Sequence, residues 1–165
     1  MAKPIFASWA HGVSAEVEPP HDPAGHDVPM QPVLKTGGGV TFTIPANTGV
    51  WVHMPVASPV HIPQNGEKRA QVGKVMLLFD ARQTSSLMQI KVHDGASPVW
   101  DSWEALGKKD IAVSGEHLRL GDVNSFFPGD KDVHVGINIA ARFAGGEIDS
   151  AVYIAGFGAD FVYPQ

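Results

Sequence analysis

Eight histidines and four tryptophans carry most of the chemistry available to this 165-residue chain. His53, His93, His117 and His134 each sit opposite the apolar residues of an alternating run. On a strand, that position turns a side chain away from the core. With Trp51, Gln89, Lys91, Arg119, Asn138 and Arg142 they would form a polar row if their strands are neighbours in one sheet. Such a row could hold a ligand or dock a subunit; the competing reading is a solvated face with scattered histidines. Trp51 shares the side of its run with His53, and Trp100 and Trp103 flank an exposed turn. An exposed indole offers a flat apolar surface to a sugar ring. Core or interface packing is the ordinary fate of tryptophan. The residues singled out for a ligand or an interface are Trp51, His53, His93, His134, Asn138, Arg142, Trp100 and Trp103.

Metal and catalytic patterns are weaker. The H-x-H pair by which cupin jelly rolls bind metal does not occur in the chain. His21 with Asp22, and His26 with Asp27, offer loop ligands suited to zinc or another divalent ion. Asp122, Asn124, Asp130 and Asp132 offer hard oxygens around Pro128-Gly129, without the spacing of a calcium-binding EF-hand. Ordinary polar loop and turn residues explain both groups better. The metal candidates are therefore His21, His26, Asp122 and Asp130, and a divalent metal is the one cofactor the residues would permit. No nucleophile elbow and no phosphate loop are present. Glu16 and Glu18 fall on one strand face, about 6–7 Å apart by strand rise, which an exposed edge strand explains better than a glycosidase pair. No catalytic residue is assigned, and the balance leans against an enzyme.

The elements that must position these residues are strands. Val133–Phe143 reads V-H-V-G-I-N-I-A-A-R-F, with Val133, Val135, Ile137, Ile139, Ala141 and Phe143 on one side. That period of two predicts a strand with one buried face. Val40–Ile44, Val50–Val56 and Leu87–Val92 alternate as well, the last with Met88, Ile90 and Val92 inward. Lys74–Arg82 is apolar on both sides, as a covered central strand would be. Ile5–His11, Val13–Val17, Ile111–Val113, His117–Leu120 and Ala151–Tyr163 complete the strand set, with Gly156 and Gly158 marking a bulge in the last. Asp94-Gly95 signals a turn, and Asp101–Gly107 a short helix with capping-box spacing between Asp101 and Glu104. The Pro-rich run after Glu18, ending at Gly37-Gly38-Gly39, predicts a long loop or arm over about 18–39. This many short strands predicts an all-β fold: one antiparallel two-sheet β-sandwich over residues 1–165, jelly-roll-like.

Several segments, in order, resemble a family of small microbial β-sandwich proteins of uncharacterised function. They are W-A-H-G at Trp9–Gly12, W-V-H-M-P-V-A-S-P-V at Trp51–Val60, V-H-D-G at Val92–Gly95, V-G-I-N-I-A-A-R-F at Val135–Phe143 and G-A-D-F at Gly158–Phe161. The resemblance implies the sandwich fold and brings no site residues with it.

Composition narrows the partners. A net charge of −5 with no basic cluster disfavours nucleic acid and anionic membranes. The absence of cysteine excludes disulfides and thiolate chemistry. The first residues hold no apolar run long enough for a secretory signal. The expectation is a soluble protein, cytoplasmic or exported without a recognisable signal peptide. Charged residues are only 18% of the chain, below the usual share of about 25%. Low charge and a Pro-rich arm predict a non-catalytic binding or interaction module that self-associates as a homo-oligomer. The alternatives are a lectin-type carbohydrate-binding module and a metal-dependent enzyme on a jelly-roll scaffold.

Overall fold

The computed structural model describes residues 4–60, 63–64, 67–105 and 125–164. The expected strands at 111–113 and 117–120, with His117, Arg119 and Asp122, lie outside the described residues. In chain order the strands are β1 (Pro4–His11), β2 (Glu16–Val17), β3 (Leu34–Thr36), β4 (Gly39–Ile44), β5 (Gly49–Val56), β6 (Gln71–Ala81), β7 (Ser86–Asp94), β8 (Ser97–Asp101), β9 (Ser125–Phe126), β10 (Lys131–Asp132), β11 (Ile137–Ala144) and β12 (Ser150–Val162). A single helical turn, α1 (Ser102–Ala105), follows β8.

The strands form two antiparallel sheets. One runs β10-β6-β12-β4-β3, with β1 also on β12 and β9 on β6; the other runs β2-β5-β11-β7-β8. Successive strands repeatedly cross from one sheet to the other, as in a jelly roll. The long β12 pairs with β6 on one side and, on the other, first with β4 and then with β1. A bulge between Ile154 and Gly156 marks that change of partner. The chain is crowded there: a Cβ on Gly12 would lie 2.0 Å from the carbonyl oxygen of Ile154.

Alternation builds the core. Val40, Phe42 and Ile44 of β4 and Val50, Val52, Met54 and Val56 of β5 are all buried. They meet Ile137, Ile139, Ala141 and Phe143 of β11 and the inward residues of β6 and β12. Phe143 joins the sheets through edge-on contacts with Phe42 and Phe79, at centroid distances of 6.1 and 5.4 Å. Such pairs add about 0.5–1.5 kcal/mol beyond area burial. Pro55 sits within β5 without breaking it. Gly49 and Trp51 turn their backbone groups toward the β2 side, bonding His21 and Glu18. By the period of two, Pro55 faces the same edge, beyond the end of β2, where no donor is needed.

Three strand expectations change. Val135 is 71% exposed rather than buried. The carboxylate of Asp94 accepts the backbone N–H groups of His134, Val135 and Gly136, so the chain turns there and β11 begins only at Ile137. Val135 instead packs over the turn glycine Gly95, whose φ is +59°. Met88 is skipped by a bulge between β11 and β7, which puts Leu87 in the core in its place. Val13–Val17 is not one strand: Gly12–Ser14 is a 3-10 turn, capped by the His11 side chain.

The Pro-rich segment begins as a continuation of β2. Glu18 N–H donates to Trp51, and His21 and Gly49 exchange two backbone bonds. Those groups are spent on this chain's own sheet rather than left for a neighbour.

Candidate functional site

The outward face of the second sheet gathers the polar residues. Register sets them in rows. On β11, Arg142 lies between Trp51 and Gln89, Ala140 between His53 and Lys91, and Asn138 between Pro55 and His93. Glu18 joins the edge beside Trp51 through its backbone bond. Neighbouring strands are about 4.8 Å apart, so these side chains form one continuous surface.

Ala140 shapes that surface. Its methyl group is surrounded by the long side chains of His53 and Lys91 across the strands and of Trp51 and His93 nearby. A short residue inside a ring of long ones leaves a pit. The depression is about 240 Å³, lined by Glu18, Trp51, His53, Lys91, His93 and Ala140.

The rim is held by hydrogen bonds. His53 Nε2 lies 2.6 Å from Glu18 Oε1, and its Nδ1 lies 3.3 Å from Asn138 Nδ2. A carboxylate only accepts and an amide NH₂ only donates. Nε2 therefore turns a proton toward Glu18, and Nδ1 faces the side-chain amide of Asn138, so both ring nitrogens of His53 have partners. Its role is to fix Glu18 at the rim. Lys91 Nζ is 5.3 Å from the centroid of the Trp51 ring and 3.8 Å from Asp101 Oδ2. Asp101 is also held by Gln89 Nε2 at 2.8 and 3.0 Å, and it accepts the N–H of Trp103, capping α1.

His93 is different. Its Nε2 is buried without a hydrogen-bond partner among the described residues. Burial, then the nearby charges of Lys91 and His53, lower its pKa, against an opposing pull from Asp101. The ring is therefore neutral at pH 7. An orphaned buried nitrogen costs free energy unless something meets it.

The remaining candidates scatter. Trp100 pairs with Val92 and packs against the core, so it does not belong to this face. Its position follows from a bulge between Val92 and His93, which shifts the pairing of β8. Trp103 is half-buried at the start of α1. His134 is not on a strand; it sits in the turn before β11, with Nδ1 3.0 Å from Asp94 Oδ2. Arg142 is exposed beside Trp51, as its alternation implies.

Among the described residues no three His, Asp or Glu side chains converge as a metal site. His21 pairs with Asp27 at 3.0 Å and His26 with Asp22 at 3.1 Å. Asp22 also accepts the N–H groups of Ala24 and His26, so its oxygens are turned into its own loop. Asp130 is an exposed turn residue with φ +51°. Among the described residues no helix is long and apolar enough to cross a membrane.

Sequence reasoning missed two contributors. Glu18 reads as the partner of Glu16 on a strand face and as the start of a loop, and only the fold shows it bonded to Trp51 and facing His53. Ala140 reads as filler, because a small residue makes a pit only when its cross-strand neighbours are known.

No family model matches the chain, and no curated protein matches it in sequence. Two solved β-sandwich modules are similar in structure. One is TmCBM61, determined in complex with β-1,4-galactotriose: 16% identity, TM-score 0.43, covering 94% of this chain and 90% of that one. The other is the xylan-binding module CBM15: 10% identity, TM-score 0.47, covering 97% of each chain.

Proposed function

We propose that this protein is a non-catalytic carbohydrate-binding module whose sugar enters the depression over Ala140, against Trp51. The observation that carries the reading is the make-up of that depression. One wall is a half-exposed indole, the floor is a methyl group, and the rim alternates carboxylate, imidazole and ammonium. A pyranose has the complementary surface: an apolar C–H face and an edge of hydroxyls. Small-ligand sites pair an apolar body with a few placed polar groups in this way. At about 240 Å³ the depression is below the roughly 300–1,000 Å³ of drug-sized pockets, which suits a single ring. Both ring nitrogens of His53 have partners within the chain, Glu18 and Asn138.

A glycan array probed with the native protein and with Trp51→Ala tests this. The expected result is binding to a restricted set of glycans, weakened about tenfold or more by the substitution, as for a central aromatic anchor. No glycan binding, or binding that Trp51→Ala leaves unchanged, overturns it.

A further inference from the structure

A second depression lies on the same sheet face, along the same two strands. It is about 270 Å³. Gly49 of β5 lines it with Ala144 and Gly145 at the end of β11, and Arg142, His21, Asp22 and Asn47 stand around it. Ala140 and Ala144 both face outward on β11, four residues apart, so the two floors are about 13 Å apart along the strand. Each floor is made the same way, by small residues beneath longer neighbours. The cross-strand pair Trp51–Arg142 forms the ridge between them.

Arg142 faces the second depression. A Cβ on Gly49 would lie 3.4 Å from Arg142 Nε and 3.6 Å from one of its terminal nitrogens, so the guanidinium lies over the Gly49 backbone. Among the described residues it forms no ion pair. Asp22, which also lines the depression, accepts from Ala24 and His26, and Asp27 pairs with His21, so neither carboxylate meets the guanidinium. A guanidinium presents a planar fork of donors matched to a planar or tetrahedral oxyanion.

Resting on the carbohydrate reading above, we propose that the site is a two-subsite groove along β5 and β11 that takes an anionic oligosaccharide. The neutral ring sits over Ala140 against Trp51. The next part of the chain crosses the Trp51–Arg142 ridge and places its acidic group, a carboxylate or a sulfate ester, on Arg142.

Calorimetric titration with three matched sets of oligosaccharides tests the proposal: neutral, uronic-acid-containing and sulfated. At low salt, one anionic set should bind about tenfold tighter than its neutral counterpart, the scale of one charge-assisted contact. Monosaccharides should bind more weakly than oligomers, and the preference should shrink at high salt. Whichever anionic set wins identifies the acidic group. Arg142→Gln, on an exposed position, should erase the preference for anionic over neutral oligosaccharides at an unchanged melting temperature. Equal affinity for neutral and anionic sets overturns the second subsite and leaves the Trp51 site standing, as does a preference that survives Arg142→Gln. No binding by any set overturns both.

Discussion

The two sheets use small residues on their outward faces in opposite ways. On the first sheet, Gly158 of β12 is covered: the Trp9 indole lies over it, 2.9 Å from where a Cβ would stand, and the Ser8 carbonyl is closer still at 2.4 Å. Small size there lets β1 approach. Two ion pairs lie on that sheet, Lys74 with Asp160 at 2.9 Å and Arg82 with Asp80 at 2.6 Å. On the second sheet no strand packs over Ala140, Gly49 and Ala144, and they line depressions between longer side chains. Polar atoms there are left in part unmet, His93 Nε2 above all. A small residue closes packing where a neighbouring strand fills the space, and makes a site where none does.

The largest expected effect of a substitution is at the turn that leads into β11 on the second sheet. Burial opposes ionisation of Asp94, but the N–H groups of Gly136, Val135 and His134, together with the His134 ring, outweigh it and hold its pKa below the ordinary value. Asp94→Ala leaves three N–H groups unmet and should cost on the order of 2–4 kcal/mol in denaturant unfolding. A group with a depressed pKa stabilises above its unfolded value and loses that contribution as pH falls through its folded one. The native protein should therefore lose this contribution only below about pH 4. The Asp94→Ala variant should lack that part of the acid transition.

The next effect distinguishes the two small residues directly. Gly158→Ala forces a methyl group against the β1 backbone and should destabilise by about 1–3 kcal/mol, read as a lowered melting temperature. Ala140→Leu fills the depression from its floor and should abolish glycan binding. Ala140 is buried, but the atoms over it are the side chains of Trp51, His53, Lys91 and His93, which can turn outward as backbone cannot, so it should destabilise less than Gly158→Ala. Equal destabilisation by both would show that Ala140 is packed like Gly158.

The smallest effect is the pH response of His93. In the unfolded chain it titrates near pH 6.5, and in the folded protein its pKa is lower. Between those values the unfolded state binds more protons, so stability falls as pH drops below about 6.5. His93→Gln should flatten that slope between pH 7 and 5 in thermal melts. An unchanged slope would assign it to the other histidines.

Much of this was legible in the sequence where alternation was unbroken. β4, β5 and the Ile137–Phe143 part of β11 follow from a period of two, and so does the outward position of Trp51, His53, Asn138 and Arg142. Reading failed where a long-range contact overrode the period. Val135 fits the alternation but is turned out by Asp94, some forty residues earlier in the chain. Met88 and Trp100 are displaced by bulges that depend on strand pairing. The depression over Ala140 was not legible at all, because it exists only once β5 and β7 flank β11 in this register.

The most direct test of the account is a two-dimensional amide NMR titration of the native protein with the best glycan from the array. Binding over Ala140 should produce shift changes centred on the Trp51 indole N–H and the amides of His53, His93, Ala140 and Arg142, with Trp9 and Gly158 unmoved. Changes centred on Trp9 and Gly158, with the Trp51 signals still, would contradict it.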